Sequence, residues 1–258
     1  LGDVYKRQLW VNGKKAVRAR DVEDFEKMNR ICSVDEKNEI LYVPAVSIRR
    51  LIDNKGNLKA KYAEMVLHQM WCVANLRIRS VEVQGDSAAI RFHQPESRIQ
   101  FEHPWPHPMV TTDGHNSAFY LTNARELQDV PGEWYHDIDA RKVYYYPREG
   151  EKMQEAEVIV PAVETLVRVE GTLDRPVRHI RFEKITFSYT TWMRPSEKGH
   201  VPLQAGMYLT DGYRIEPKMQ RDYLNHPLDN QGWLGRPAAA VRVVAARQID
   251  FERCRFEH

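Results

Sequence analysis

The chain has 258 residues, enough for one large domain or two small ones with a sizeable core. Its 38 basic and 36 acidic side chains leave a net charge of +2, which argues against a nucleic-acid footprint or a polybasic membrane surface. Three cysteines without CxxC spacing (Cys32, Cys72 and Cys254) argue against a disulfide framework, and no apolar run reaches the length of a membrane span.

In chain order, Asp3–Gln8 reads DVYKRQ and resembles the translation of a transposon adapter used in sequencing libraries, so residues 1–8 are left out of the fold reading. Leu9–Arg20 predicts a hairpin, with short strands on either side of Asn12-Gly13, a turn that favours φ > 0. Asp21–Asn29 reads as a short helix capped by Asp21, and Glu39–Val43 as a strand. Leu58, Tyr62, Met65, Val66 and Met70 follow helical spacing, which predicts a helix over Leu58–Met70. Trp71–Val83 and Ala88–Phe92 read as strands. Pro95–Pro108 reads as loop, because Pro104, Pro106 and Pro108 cannot donate to a ladder. Phe119–Thr122 is a strand, Ala124–Gln128 one helical turn, and Gly132–Asp137 with Lys142–Tyr146 a second hairpin. Val158–Val160 and Thr165–Val169 are further strands.

Then a pattern repeats. Ile180-Arg181-Phe182-Glu183 recurs as Ile249-Asp250-Phe251-Glu252, and Thr186-Phe187 as Arg255-Phe256. Each copy follows a Val-Arg-Val tripeptide, at Val167–Val169 and Val241–Val243. Short alternating strands with matching apolar positions suit a solenoid whose rungs bury their faces on one another. By pattern alone, a parallel β-helix and a β-sandwich stand equal, since the copies are 69 positions apart, Ile180 to Ile249, and need a long excursion between them.

Four segments carry a resemblance: Gln8–Arg20, Phe119–Asp137, Lys142–Glu151 and Val177–Trp192, in that order. Together they resemble bacterial right-handed parallel β-helix proteins of glycoside hydrolase family 141 and their relatives. The resemblance implies a mostly all-β chain: a right-handed parallel β-helix with an inserted β-rich domain containing a short helix, truncated at its C-terminal end. The expected layout is 9–44 as the edge of the β-helix and its entry strands, and 45–147 as the inserted lobe. Residues 148–258 are then the first rungs, with a long loop over 188–237. The resemblance further implies action on plant or host polysaccharide, with catalytic carboxylates on rungs beyond His258. The chain is thus expected to be an inactive internal fragment of a metagenomic sequence, secreted, periplasmic or cell-surface in the full-length protein.

The residues support a narrower list of contacts. A glycosidase needs two carboxyl groups across the scissile bond, and sequence spacing cannot identify them on a β-helix. Glu183 and Glu252 occupy equivalent repeat positions, but repeated polar residues usually lie on a solvated strand face. The excursion supplies Trp192, His200, Asp222 and Trp233 as candidate substrate contacts, since aromatic faces suit sugar rings and long ordered loops often carry function. Packing of Trp192 and Trp233 onto the fold is the plainer reading of the two indoles. His103 and His107 share a spacing of four, yet prolines forbid a helix there, and no metal or other cofactor is expected. The expected partner is an oligo- or polysaccharide, with no nucleic acid and no membrane span. Two rivals remain: a non-catalytic glycan-binding or adhesin-like β-helix, and a polysaccharide lyase, for which the chain shows no dense Asp cluster.

Overall fold

The computed structural model describes residues 5–103, 106–203, 206–214 and 233–257. The chain is mostly β, as expected, but most of its sheet structure is antiparallel. Its largest unit is a seven-stranded antiparallel sheet. Across the sheet the strands run Asn29–Arg30, Ala118–Thr122, Glu64–Gln69, Cys72–Gln84, Ser87–Phe92, Ile40–Pro44 and Ser33–Asp35. Asn29–Arg30, Ser33–Asp35 and Ile40–Pro44, placed among entry strands of a β-helix by the sequence, belong to this sheet instead. Cys72–Gln84 pairs first with Glu64–Gln69 and then with Ser87–Phe92, with a register shift between Ile78 and Ser80.

Side-chain alternation builds the main core. Leu121, Met65 and Leu76 stand opposite one another, as do Phe119, Leu67 and Ala74, and all six are fully buried. Ile48 and Leu51 from the 3₁₀ helix Ala45–Leu51, and Ile99 from the helix Glu96–Glu102, cover the same core. A smaller core joins Leu9, Val11 and Ala16 of the first hairpin to Trp134 of the second. The Asn12-Gly13 turn takes positive φ at both residues, as the sequence predicts. In the second hairpin Arg141 occupies the left-handed region that a glycine would otherwise fill.

Three sequence expectations need correction. Leu58–Met70 is not a helix: Glu64–Gln69 is a strand buried on both faces, and the run Met65-Val66-Leu67 has no single apolar side to betray its period. Pro95–Pro108 is not all loop, because Glu96–Glu102 is helical with Pro95 at its N-cap and the later prolines beyond its end. Asp21–Asn29 is not a helix: it holds the 3₁₀ turn Phe25–Lys27 before the strand that opens at Asn29, and the cap of that turn is Asp24, which accepts from Glu26 N at 3.0 Å.

Parallel pairing is concentrated in the repeat, with one short addition where Val17–Arg18 lies along Glu133–Trp134. Val167–Glu170 pairs with Val241–Val244, Val177–Glu183 with Ala246–Glu252, and Thr186–Ser188 with Arg255–Glu257. Ile180 faces Ile249 and Phe182 faces Phe251, whose rings stack at 4.8 Å between centroids. Phe187 and Phe256 stack likewise at 5.0 Å. His179 and Gln248 take positive φ at equivalent places, as do Lys184 and Arg253, so both copies bend at the same positions. Two such layers do not amount to the right-handed β-helix expected from the sequence. Among the described residues no helix is long and apolar enough to cross a membrane.

The two regions should respond differently to truncation of a side chain. Leu67→Ala, in the fully buried core, should lower unfolding free energy by about 2–5 kcal/mol in urea titrations. Phe256→Ala removes a ring that is 55% exposed and should cost at most about 1.5 kcal/mol. Equal losses would contradict this placement of the core.

Candidate ligand-binding cleft

The alternation that buries Met65 and Leu67 turns Glu64 and Val66 to the opposite face of the sheet. One cross-strand row on that face reads Arg20, Thr122, Glu64, Arg77. The next reads Tyr120, Val66, Asn75, His200. His200 enters the row because its backbone exchanges two hydrogen bonds with Asn75, at 2.8 and 2.9 Å, beside the stretch of the long strand that Ser87–Phe92 leaves unpaired. The segment at His200 therefore pairs with the sheet along the stretch of that strand left free.

Glu64 is the anchor of this face. Its side chain is 1% exposed and receives both Arg18 Nη atoms, at 3.0 and 2.9 Å, in a bidentate pair. Arg7 Nη1 donates to it at 3.0 Å and Ser196 Oγ at 2.7 Å. Residues 5–8, set aside in the sequence reading, thus pack against the sheet through Arg7. Next to this cluster, Arg77 donates to Glu96 from Nε at 2.7 Å and from Nη2 at 2.8 Å. Gly199 closes the short helix Arg194–Lys198 at positive φ, and a Cβ there would lie 2.5 Å from the Glu96 side chain. Only glycine permits that approach.

Above this base lies a cavity of about 420 Å³, roofed by the first hairpin and floored by the sheet. Lys15, Arg18, Arg20, Asn75, Tyr120 and Thr122 are among its walls. The Tyr120 ring sits 5.5 Å from Phe25 and 6.1 Å from His68, and the Arg20 guanidinium lies over Phe25 at 4.7 Å. A smaller cavity of about 130 Å³ lies between Tyr62, Arg77, His93 and Ser196.

Of the residues singled out by sequence, Trp192 and His200 come together, with rings edge-on at 5.0 Å and both near Tyr208. Arg194 covers Tyr208 at 4.1 Å, and Gly235 leaves room for that ring, since a Cβ there would come within 2.4 Å of it. Trp233 is placed apart from this trio in role: it packs against the main core and beside Gly212. Asp222 lies outside the described residues. Glu183 and Glu252 stand opposite each other on the paired layers, where Arg253 bridges to both and Arg181 to Glu252. Both are well exposed, which fits a solvated ion-pair network.

Charge states follow from these surroundings. Burial acts to raise the Glu64 carboxyl, but the charges of Arg18 and Arg7 and the hydrogen bonds from Arg18 and Ser196 outweigh it and hold the group at about 2. Burial, aided by the charges of Arg194 and Arg7, pushes the His200 imidazole down to about 4. Its Nδ1 has no hydrogen-bond partner among the described residues. Asp21, pushed up to about 6 mainly by burial, accepts from Leu121 N at 2.7 Å and ties the chain after the hairpin to the sheet. Glu64 is thus a permanently ionised counter-charge, unsuited to proton transfer near neutrality.

The sequence reading missed Lys15, Arg18, Arg20, Glu64, Asn75 and Tyr120. The available signal was a charge inside an apolar run, Glu64 before Met65-Val66-Leu67, and the alternating Arg18 and Arg20 after the hairpin turn.

Residues 3–148 match the GH141 insertion domain family. That is more than half of the chain, and the chain belongs to this family. It is also similar to a solved structure described as a glycoside hydrolase, with 88% identity and a TM-score of 0.91 over 98% of this chain. The alignment takes in 42% of that relative, so the chain spans less than half of its length. No curated protein sequence matches the chain.

The shifted groups set two acid windows. Both folded-state values lie below the unfolded ones, so their stability contributions are present above the unfolded pKa and are lost as pH falls. For His200 the loss runs from 6.5 to about 4, and for Glu64 from 4.5 to about 2. Asp21, raised to about 6, acts in the opposite sense within the first window, so the measured quantity is the difference from wild type. The wild-type urea midpoint should fall relative to His200→Gln between pH 6.5 and about 4, and relative to Glu64→Gln between 4.5 and about 2. Glu64→Gln also leaves two arginines without their counter-charge and should cost about 3–5 kcal/mol at pH 7. A difference between wild type and His200→Gln that stays constant from pH 6.5 to about 4 would contradict the environment assigned to His200.

Proposed function

We propose that this chain is part of a bacterial carbohydrate-active enzyme, a glycoside hydrolase acting on plant or host polysaccharide. In this reading the repeat forms the first layers of a right-handed parallel β-helix. Residues 45–147, with the strands that pair to them, form a lobe beside it. Two carboxylates on later layers carry out acid–base hydrolysis in the full-length protein, which is exported. The observation that carries the reading is the parallel, in-register pairing of Val177–Glu183 with Ala246–Glu252, with Phe182 stacked on Phe251 and equal bends at equivalent positions. Matching side chains stacked at the inter-strand spacing are what a solenoid requires. The 88% identical glycoside hydrolase supports the same reaction class.

Within this chain, Trp192 and His200 serve as sugar contacts on the excursion, and Trp233 as its attachment to the core. The ring of Trp192 is half-buried beside His200 and Tyr208, while that of Trp233 packs against the main core cluster. Asp222 keeps its place as a proposed contact on chemical grounds alone.

The decisive experiment assays this 258-residue chain and the full-length protein side by side on plant cell-wall and mucin glycans. The full-length protein should release sugar, and amide replacement of either later carboxylate should lower the rate by about 10²-fold or more. The 258-residue chain should give no turnover. Turnover by this chain alone would place the active site inside it, and turnover by neither would favour a glycan-binding β-helix. Trp192→Ala should weaken oligosaccharide binding with little change in melting temperature, whereas Trp233→Ala should destabilise by up to about 3 kcal/mol.

A further inference from the structure

The cleft beneath the first hairpin has a charge that the fold does not use. Lys15, Arg18 and Arg20 line it along with Arg7, and no carboxylate does among the described residues. Glu64 lies beneath and compensates only Arg18 and Arg7. Lys15 and Arg20 have no ion pair among the described residues; each lies over an aromatic ring instead, Trp10 at 5.7 Å and Phe25 at 4.7 Å. Cations gathered in a concave site without counter-charge focus a positive potential on whatever enters.

The neutral part of the wall is also unoccupied chemically. The Asn75 amide and the Tyr120 hydroxyl make no side-chain hydrogen bond among the described residues, although both face the cavity. Val66 adds an apolar floor between them, since it stands directly opposite both in the sheet. A volume of about 420 Å³ lies within the usual range for small-molecule sites.

We propose that this cleft binds an anionic sugar residue of an oligosaccharide, with Arg20 and Lys15 on its acidic group and Asn75 and Tyr120 on its hydroxyls. The proposal rests on the glycan-active reading above and narrows it to acidic glycans. Guanidinium and ammonium groups suit carboxylate and sulfate alike, so the acidic group is a uronate carboxylate or a sugar sulfate. Arg18 keeps its place on Glu64 and steadies the hairpin, leaving Arg20 and Lys15 to meet the ligand. No bond is made or broken in this step.

The test is calorimetric titration of the 258-residue chain with a galacturonate oligosaccharide, a sulfated galactan oligosaccharide and a neutral xylan oligosaccharide, at low and high salt. One or both acidic ligands should bind, more weakly as salt rises, and the neutral one should bind at least tenfold more weakly. The stronger of the two acidic ligands identifies the acidic group. A double variant, Lys15→Ala with Arg20→Ala, should lose about tenfold or more in affinity for it. Because Arg20 lies over Phe25, Lys15→Glu serves as a second variant at an exposed position, with circular dichroism reporting the fold. Failure of both acidic ligands to bind, equal binding of the neutral one, or unchanged affinity in both variants would overturn the proposal. The two readings fail separately. A full-length protein that hydrolyses glycans while this chain binds no acidic ligand removes only the cleft proposal. Acidic binding here with no turnover by the full-length protein removes only the hydrolase reading.

Discussion

One buried carboxylate holds three other segments of the chain to the central sheet. Glu64 belongs to the central sheet, Arg18 to the strand after the first hairpin, Arg7 to the segment before it, and Ser196 to the excursion between the repeat copies. A charge this deeply buried is costly unless every lone pair is met, and here donors from three directions meet it. Such a pair adds little net stability over an apolar packing of the same shape, but it fixes orientation. The hairpin can sit on the sheet in only one way that satisfies Glu64, and the helix Arg194–Lys198 in only one way that delivers Ser196.

The cleft is a consequence of that fixation. With the hairpin held at the Arg18 end, Arg20 comes opposite Thr122 and the basic side chains arch over Tyr120, Val66 and Asn75. A second charge pair, Arg77 with Glu96, does the same for the excursion, since Gly199 rests directly on the Glu96 side chain. The polar face of the sheet is thus not a solvated exterior. It is an interior surface of mixed charge, closed on two sides by elements that the sheet itself positions and open where the cations remain unmatched.

The lobe and the repeat have different physical characters. The lobe is an antiparallel sheet with one dense apolar face, and its core side chains are fully excluded from water. The repeat layers are thin, and Phe251 and Phe256 remain substantially exposed although their rings stack on the layer before. A solenoid layer buries its face only when neighbours lie on both sides. Each described layer pairs with one other, and Phe251 and Phe256 keep the exposure that this single pairing leaves.

Sequence by itself determined what depends on near neighbours or on exact repetition. The Asn12-Gly13 hairpin follows from backbone preference, and the alignment of Ile180 with Ile249 and Phe182 with Phe251 follows from matching residues in matching positions. Most strands of the lobe were legible for the same reason. The stretch Leu58–Met70 was not, because a strand buried on both faces loses the alternation that marks a strand, and its apolar residues happened to fall at helical spacing. The cleft was beyond the sequence altogether. Arg18, Glu64 and Ser196 have no local signature, and their partnership exists only once the hairpin and the excursion close over the same face of the sheet. Whether a charged side chain is a solvated surface group or a buried anchor depends on what the fold brings against it, and that is decided by tertiary packing alone.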